Sequence, residues 1–69
     1  MPNEIAYNKG WNDAVRGMAN AKASGTLSEY FAKINNASVK IRMTYYFQGV
    51  FAAIQEYQES VLAEEMIAA

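Results

Sequence analysis

Two stretches decide the reading of this chain: YNKGWNDAV, residues 7–15, and YFQGVFAAI, residues 46–54, written 39 positions apart. Tyr7 and Tyr46, Gly10 and Gly49, Ala14 and Ala53, and the β-branched Val15 and Ile54 occupy matching places. In a helix, residues three and four apart are neighbours, so Tyr7, Gly10, Trp11, Ala14 and Val15 share one surface. Gly10, Ala14, Gly17 and Ala21 then form a furrow of small residues, and Gly49 and Ala53 form a shorter one. An interior Gly costs a helix about 1 kcal/mol relative to Ala. Three such glycines are explained where the missing side chain lets another backbone approach. The expected helix-packing and dimer residues are therefore Tyr7, Gly10, Trp11, Ala14, Gly17, Tyr46, Gly49, Val50 and Ala53.

Working outward, the pattern predicts a first helix over about residues 3–24. Asn3 is placed to cap it, and Gly25 to end it as the left-handed residue after the last turn. Tyr7, Trp11, Ala14, Val15 and Met18 make its apolar face, while Asn8, Lys9, Asn12, Asp13, Arg16 and Asn20 make its polar one. Thr26-Leu27-Ser28-Glu29 has the pattern of a capping box, with Thr26 as cap and Glu29 three residues on. So short a connection turns the chain back on itself, which predicts an all-α fold built on a helical hairpin. A longer helical region follows over about residues 27–66. Asn35-Asn36 marks a break near 35–38, because short amides compete for backbone hydrogen bonds. The apolar stripe also moves there, from Leu27, Phe31, Ile34, Ile41 and Tyr45 to Tyr46, Val50, Ala53, Tyr57 and Val61. The alternating run VKIRMTYYF, residues 39–47, offers a competing reading as a strand, which would pair with its copy in a dimer.

Sixty-nine residues make one domain, near the size at which a lone hydrophobic core is marginal. With no Cys and no His there is neither a disulfide nor the commonest transition-metal ligand. Regular helix packing and self-association remain, and the expectation is a homodimeric, four-helix-like bundle. Fifty-two per cent of the residues are hydrophobic, with one Trp, five Tyr and three Phe to furnish interfaces. The net charge of −1 conceals an asymmetry: every Lys and Arg precedes Met43, and four Glu without a base follow it. No basic segment leads into an apolar run, and no stretch reaches the 18 or more apolar residues of a membrane span. The expectation is a cytoplasmic protein with no membrane association.

Catalysis is not expected. Without His or Cys the usual nucleophile–base pairs are missing. Glu56/Glu59 and Glu64/Glu65 belong to a solvated acidic tail, and no glycine-rich phosphate loop is present. The reading is thus no cofactor, no metal and no small-molecule substrate. Nucleic-acid binding needs a basic surface, and Lys33, Lys40 and Arg42 beside Tyr30 and Tyr45 make a thin one. Protein binding fits better, because interface hot spots favour Tyr, Trp and Arg, and Met is common in interface cores. Met43–Phe51 carries bulky apolar groups around most of its circumference, more than a two-helix unit buries. The expected partner-binding set is Tyr30, Arg42, Tyr45 and Phe47.

The units YNKGWNDAVRG and YFQGVFAAI resemble the Gly-Trp-x-x-Ala units of ribosome modulation factor and its phage-borne relatives, which are small helical hairpins. The resemblance spans about 20 residues and implies the hairpin. It departs in the second unit, where Val50 stands in place of Trp, and in charge, since those proteins are strongly basic. In format alone, a short Cys-free helical chain resembles the accessory proteins with which bacteriophages disable host machinery. Among them are anti-quorum-sensing proteins that dimerise through helices and sequester a LuxR-type activator or a pilus-assembly ATPase. This likeness of format implies a phage-encoded inhibitor that binds itself and one host protein. The alternatives are a nucleic-acid- or ribosome-associated factor and a structural or assembly protein.

Overall fold

The computed structural model describes the backbone of residues 2–68 and the side chains of residues 3–64. Four helices follow one another: α1 (Pro2–Ser24), α2 (Leu27–Asn35), α3 (Val39–Arg42) and α4 (Tyr45–Ala68). No strand occurs among the described residues, and the 39–47 run is helix on either side of a turn at Met43 and Thr44.

α1 starts one residue earlier than expected. Pro2, not a capped Asn3, opens its first turn, where a missing N–H costs nothing and the fixed φ already suits a helix. Its end is as read: Gly25 takes φ 73°, and the Thr26 N–H donates to the Ala21 carbonyl at 2.8 Å. The Gly25 N–H donates to the Lys22 carbonyl at 3.3 Å, completing a Schellman turn that satisfies carbonyls at the helix end. The capping box does not form. Thr26 precedes α2 with φ −115° and ψ 24° and makes no side-chain bond to the helix. Its hydroxyl lies 3.2 Å from that of Ser24, because the Schellman turn has already set the backbone at this residue.

α2 runs back along α1. Leu27, Tyr30, Phe31 and Ile34 recur at three- and four-residue spacing and pack on the core. The chain breaks at residues 36–38, where Asn35-Asn36 leads it to. Ser38 then caps the short α3 by accepting from the Ile41 N–H at 3.4 Å. Thr44 joins α3 to α4: its hydroxyl donates to the Ile41 carbonyl at 2.8 Å and accepts from the Phe47 N–H at 3.2 Å.

α4 returns parallel to α1. Its first turns meet Tyr7, Gly10 and Asp13, and Tyr57 meets Lys22 near the far end of α1. The core between them is made of Ala14, Met18, Ala21, Val50, Ala53 and Ile54. Half of that set is alanine. The chain is held by close backbone approach more than by large buried side chains, and no large side chain is wholly enclosed among the described residues.

Candidate protein-binding surfaces

The repeated unit meets itself. An ideal Cβ on Gly10 would overlap the carbonyl oxygen of Tyr46 and lie 2.8 Å from its carbonyl carbon. One on Gly49 would overlap the carbonyl oxygen of Tyr7 and lie 3.0 Å from the backbone nitrogen of Trp11. Each glycine therefore receives the carbonyl of the other unit's tyrosine, in the same register. The two contacts are related by a local quasi-two-fold axis along the parallel helices. Such an approach brings Cα–H groups against carbonyl oxygens, a recurring weak contact at helix–helix interfaces. Ala14 and Ala53, one turn on, continue the seam and are both buried.

The symmetry is broken at Asp13. Tyr46 donates its hydroxyl to Asp13 Oδ2 at 2.6 Å, and Arg16 donates from Nη2 to Oδ1 at 2.5 Å. The tyrosine hydrogen bond, with the Arg16 bond and charge adding to it, holds the Asp13 carboxyl below the usual carboxylate range. The same bond raises Tyr46 above the ordinary phenol value. Burial is the main cause of a similar rise at Tyr30. At position 52, the counterpart of Asp13, stands an alanine.

The furrow of small residues serves two partners. Gly10 and Ala14 face α4, but a Cβ on Gly17 would meet the Tyr30 ring and hydroxyl, both at 2.8 Å. Tyr30 is thus turned inward, half-buried over Gly17 and edge-on to Phe31 with ring centres 6.0 Å apart. This takes it out of the outward-facing set, because the glycine beneath leaves a seat for its ring. The other three members of that set lie together where α3 meets α4. Tyr45 is exposed. Phe47 is half-buried between Tyr46 and Phe51, with ring centres 5.8 and 5.9 Å away. Arg42 rests its guanidinium 5.5 Å from the centre of the Phe51 ring, a cation–π contact that ties α3 to α4.

Around these three the structure places apolar neighbours that the aromatic count overlooked. Val39 is 71 %, Ile41 45 %, Met43 73 % and Tyr45 50 % exposed. Four large apolar side chains within seven residues form an exposed ledge, with Lys40 and Arg42 between them in sequence. α3 packs on α4 alone, and Tyr45 borders the first turns of α1 at Asn3, Glu4, Tyr7 and Asn8. The alternating pattern of VKIRMTYYF was the available signal. Its apolar members were read as continuing the α2 stripe, which holds for Leu27, Phe31 and Ile34 and fails for Ile41 and Tyr45, because the break at 36–38 turns the chain off that face.

A second apolar surface lies between α1 and α4, lined chiefly by Trp11, Val15, Met18, Ala19, Ala53 and Tyr57. It is an open groove of about 420 Å³. Lys22 stands on its α1 lip, with Nζ 5.9 Å from the centre of the Tyr57 ring, and Glu56 stands on its α4 lip. Val15, expected among the buried residues of α1, is 46 % exposed because it sits at this open edge.

Glu56, Glu59 and Glu64 are exposed, and the side chain of Glu65 lies outside the described residues. No described helix is long and apolar enough to cross a membrane. Comparison with family models, with curated proteins and with solved structures finds no significant match to this chain.

Proposed function

We propose that this chain is a non-catalytic protein-binding module that holds one partner protein through the α3 ledge. The observation that supports the reading is the concentration of Val39, Ile41, Met43 and Tyr45 on one exposed segment. Leaving such groups in water is unfavourable by about 25 cal/mol for each Å² of apolar area, so a surface that clusters them gains by being covered. Lys40 and Arg42 interleave with them and favour a partner with an acidic rim around an apolar centre. In the setting implied by the chain's format, the module is a phage-borne inhibitor made in the bacterial cytoplasm, and its partner is a host regulator or motor.

The test is a pull-down from bacterial lysate with tagged wild-type chain and a Met43→Asp variant, each with and without nuclease and at low and high salt. The expected result is one stoichiometric protein that resists nuclease and salt and is lost with Met43→Asp. Capture that collapses with nuclease or salt would replace this reading with the ribosome- or nucleic-acid-associated one. Capture unaffected by Met43→Asp would remove the ledge from it.

A further inference from the structure

We infer that a second copy of this chain covers the α1/α4 groove, so that the working form is a two-fold dimer joined along it. Two observations carry the inference.

The first is where apolar surface is left open. Val15 is 46 % exposed and Trp11 and Tyr57 are half-buried along the open groove between α1 and α4, which the buried Met18 floors. The second is charge. An isologous interface must be complementary to itself. Lys22 and Glu56 lie on opposite lips, and neither has an ion-pair partner among the described residues. A two-fold axis running along the groove lays the α1 lip of one copy against the α4 lip of the other, so that Lys22 meets the second copy's Glu56 twice. This surface is separate from the α3 ledge, so the dimer and the foreign partner do not compete for it.

The test is sedimentation of the purified full chain across a range of concentrations, with Trp11 fluorescence recorded on the same samples. Trp11 is the single tryptophan and lies in the groove, so its emission reports the interface while circular dichroism shows the fold intact. Wild type is expected to reach twice the chain mass as concentration rises and to shift its emission to the red on dilution. Val15→Glu places a charge in the interface and is expected to raise the dissociation constant by on the order of tenfold or more while helical circular dichroism is retained. If Val15→Glu unfolds, Ala19→Glu, at an exposed position on the same lip, takes its place. Lys22→Glu and Glu56→Lys are each expected to weaken the dimer by on the order of fivefold, and the double exchange to restore it. Met43→Asp is expected to leave self-association intact. A mass that stays that of one chain at every concentration overturns the inference, as does a dimer indifferent to both groove variants. Failure of the double exchange to restore affinity overturns the two-fold arrangement.

Discussion

At the scale of single residues, the four glycines separate into three kinds of constraint. Gly10 and Gly49 are held by space, since a methyl group would fall on another helix's backbone. Backbone cannot swing aside as a side chain can. Gly10→Ala and Gly49→Ala are therefore expected to destabilise by about 1–3 kcal/mol through overpacking, despite the gain of about 1 kcal/mol in helix propensity. Urea unfolding of the two variants checks this, and stabilisation by either would contradict the close approach. Gly17→Ala meets only the end of the Tyr30 ring and is expected to cost less than either. Gly25 is held by conformation alone: nothing lies within 4 Å of its would-be Cβ, yet φ is +73°. Gly25→Ala is expected to cost about 1 kcal/mol. The Asp13–Tyr46 bond has consequences for pH. A carboxyl whose folded pKa is lowered contributes stability that is present above its unfolded pKa and lost as pH falls through the folded one. A phenol whose folded pKa is raised contributes stability that is present below its unfolded value, near 10, and lost as pH rises through the folded one. Stability is accordingly expected to fall below about pH 4 and above about pH 10. Tyr46→Phe, followed by thermal denaturation against pH, should flatten both limbs, with Tyr30 retaining part of the alkaline one.

At the scale of elements, the helices differ in what starts and stops them. The pattern of residues 26–29 predicted a side-chain cap at Thr26, but the Schellman turn just before it fixes the backbone in a conformation from which the hydroxyl makes no bond to α2. Thr26→Ala is therefore expected to change stability by less than about 0.5 kcal/mol, well short of the usual cost of a lost cap. Thr44 has the opposite character. It caps α4 while closing α3 through its donated hydrogen bond. Thr44→Ala is expected to cost about 1 kcal/mol and to loosen the ledge, which amide hydrogen exchange over residues 39–45 would register. Asn35-Asn36 did announce the break. The two-residue turn at Met43 and Thr44 carries no Gly, Pro or Asn and has no comparable local signal.

At the scale of the whole molecule, the buried core among the described residues is small: six side chains, three of them alanines. Met18→Ala or Ile54→Ala removes a large share of it and is expected to cost about 2–5 kcal/mol, the range for truncating buried aliphatic side chains. Against the marginal stability of small domains, this would leave much of the chain unfolded at room temperature, readable by circular dichroism. Association adds stability by mass action. The thermal midpoint is therefore expected to rise with protein concentration in the wild type and to be independent of it in Val15→Glu. The same scale divides the exposed apolar surface in two. The ledge at α3 is one chain segment, whereas the groove is assembled from residues some forty positions apart.

The sequence by itself determined what short-range physics controls. Helix periodicity, the left-handed stop at Gly25, the amide break at 35–36 and the lack of His and Cys are all local or compositional, and they suffice for an all-α chain with a hairpin and a second long helix. It also marked Gly10 and Gly49 as places of close approach, because an interior glycine is costly wherever nothing approaches it. Only the tertiary structure decided which backbones approach. The two units clasp each other within one chain, in parallel and in register, since the break at 36–38 and the turn at 43–44 carry α4 back to the start of α1. The α1/α2 hairpin seats Tyr30 over Gly17, the break and turn take Ile41 and Tyr45 off the core face, and the α1/α4 pairing leaves Val15 at the edge of the groove. None of these follows from spacing along the chain, because each depends on which helix lies opposite and in what register, and helical periodicity constrains only the faces of a single helix.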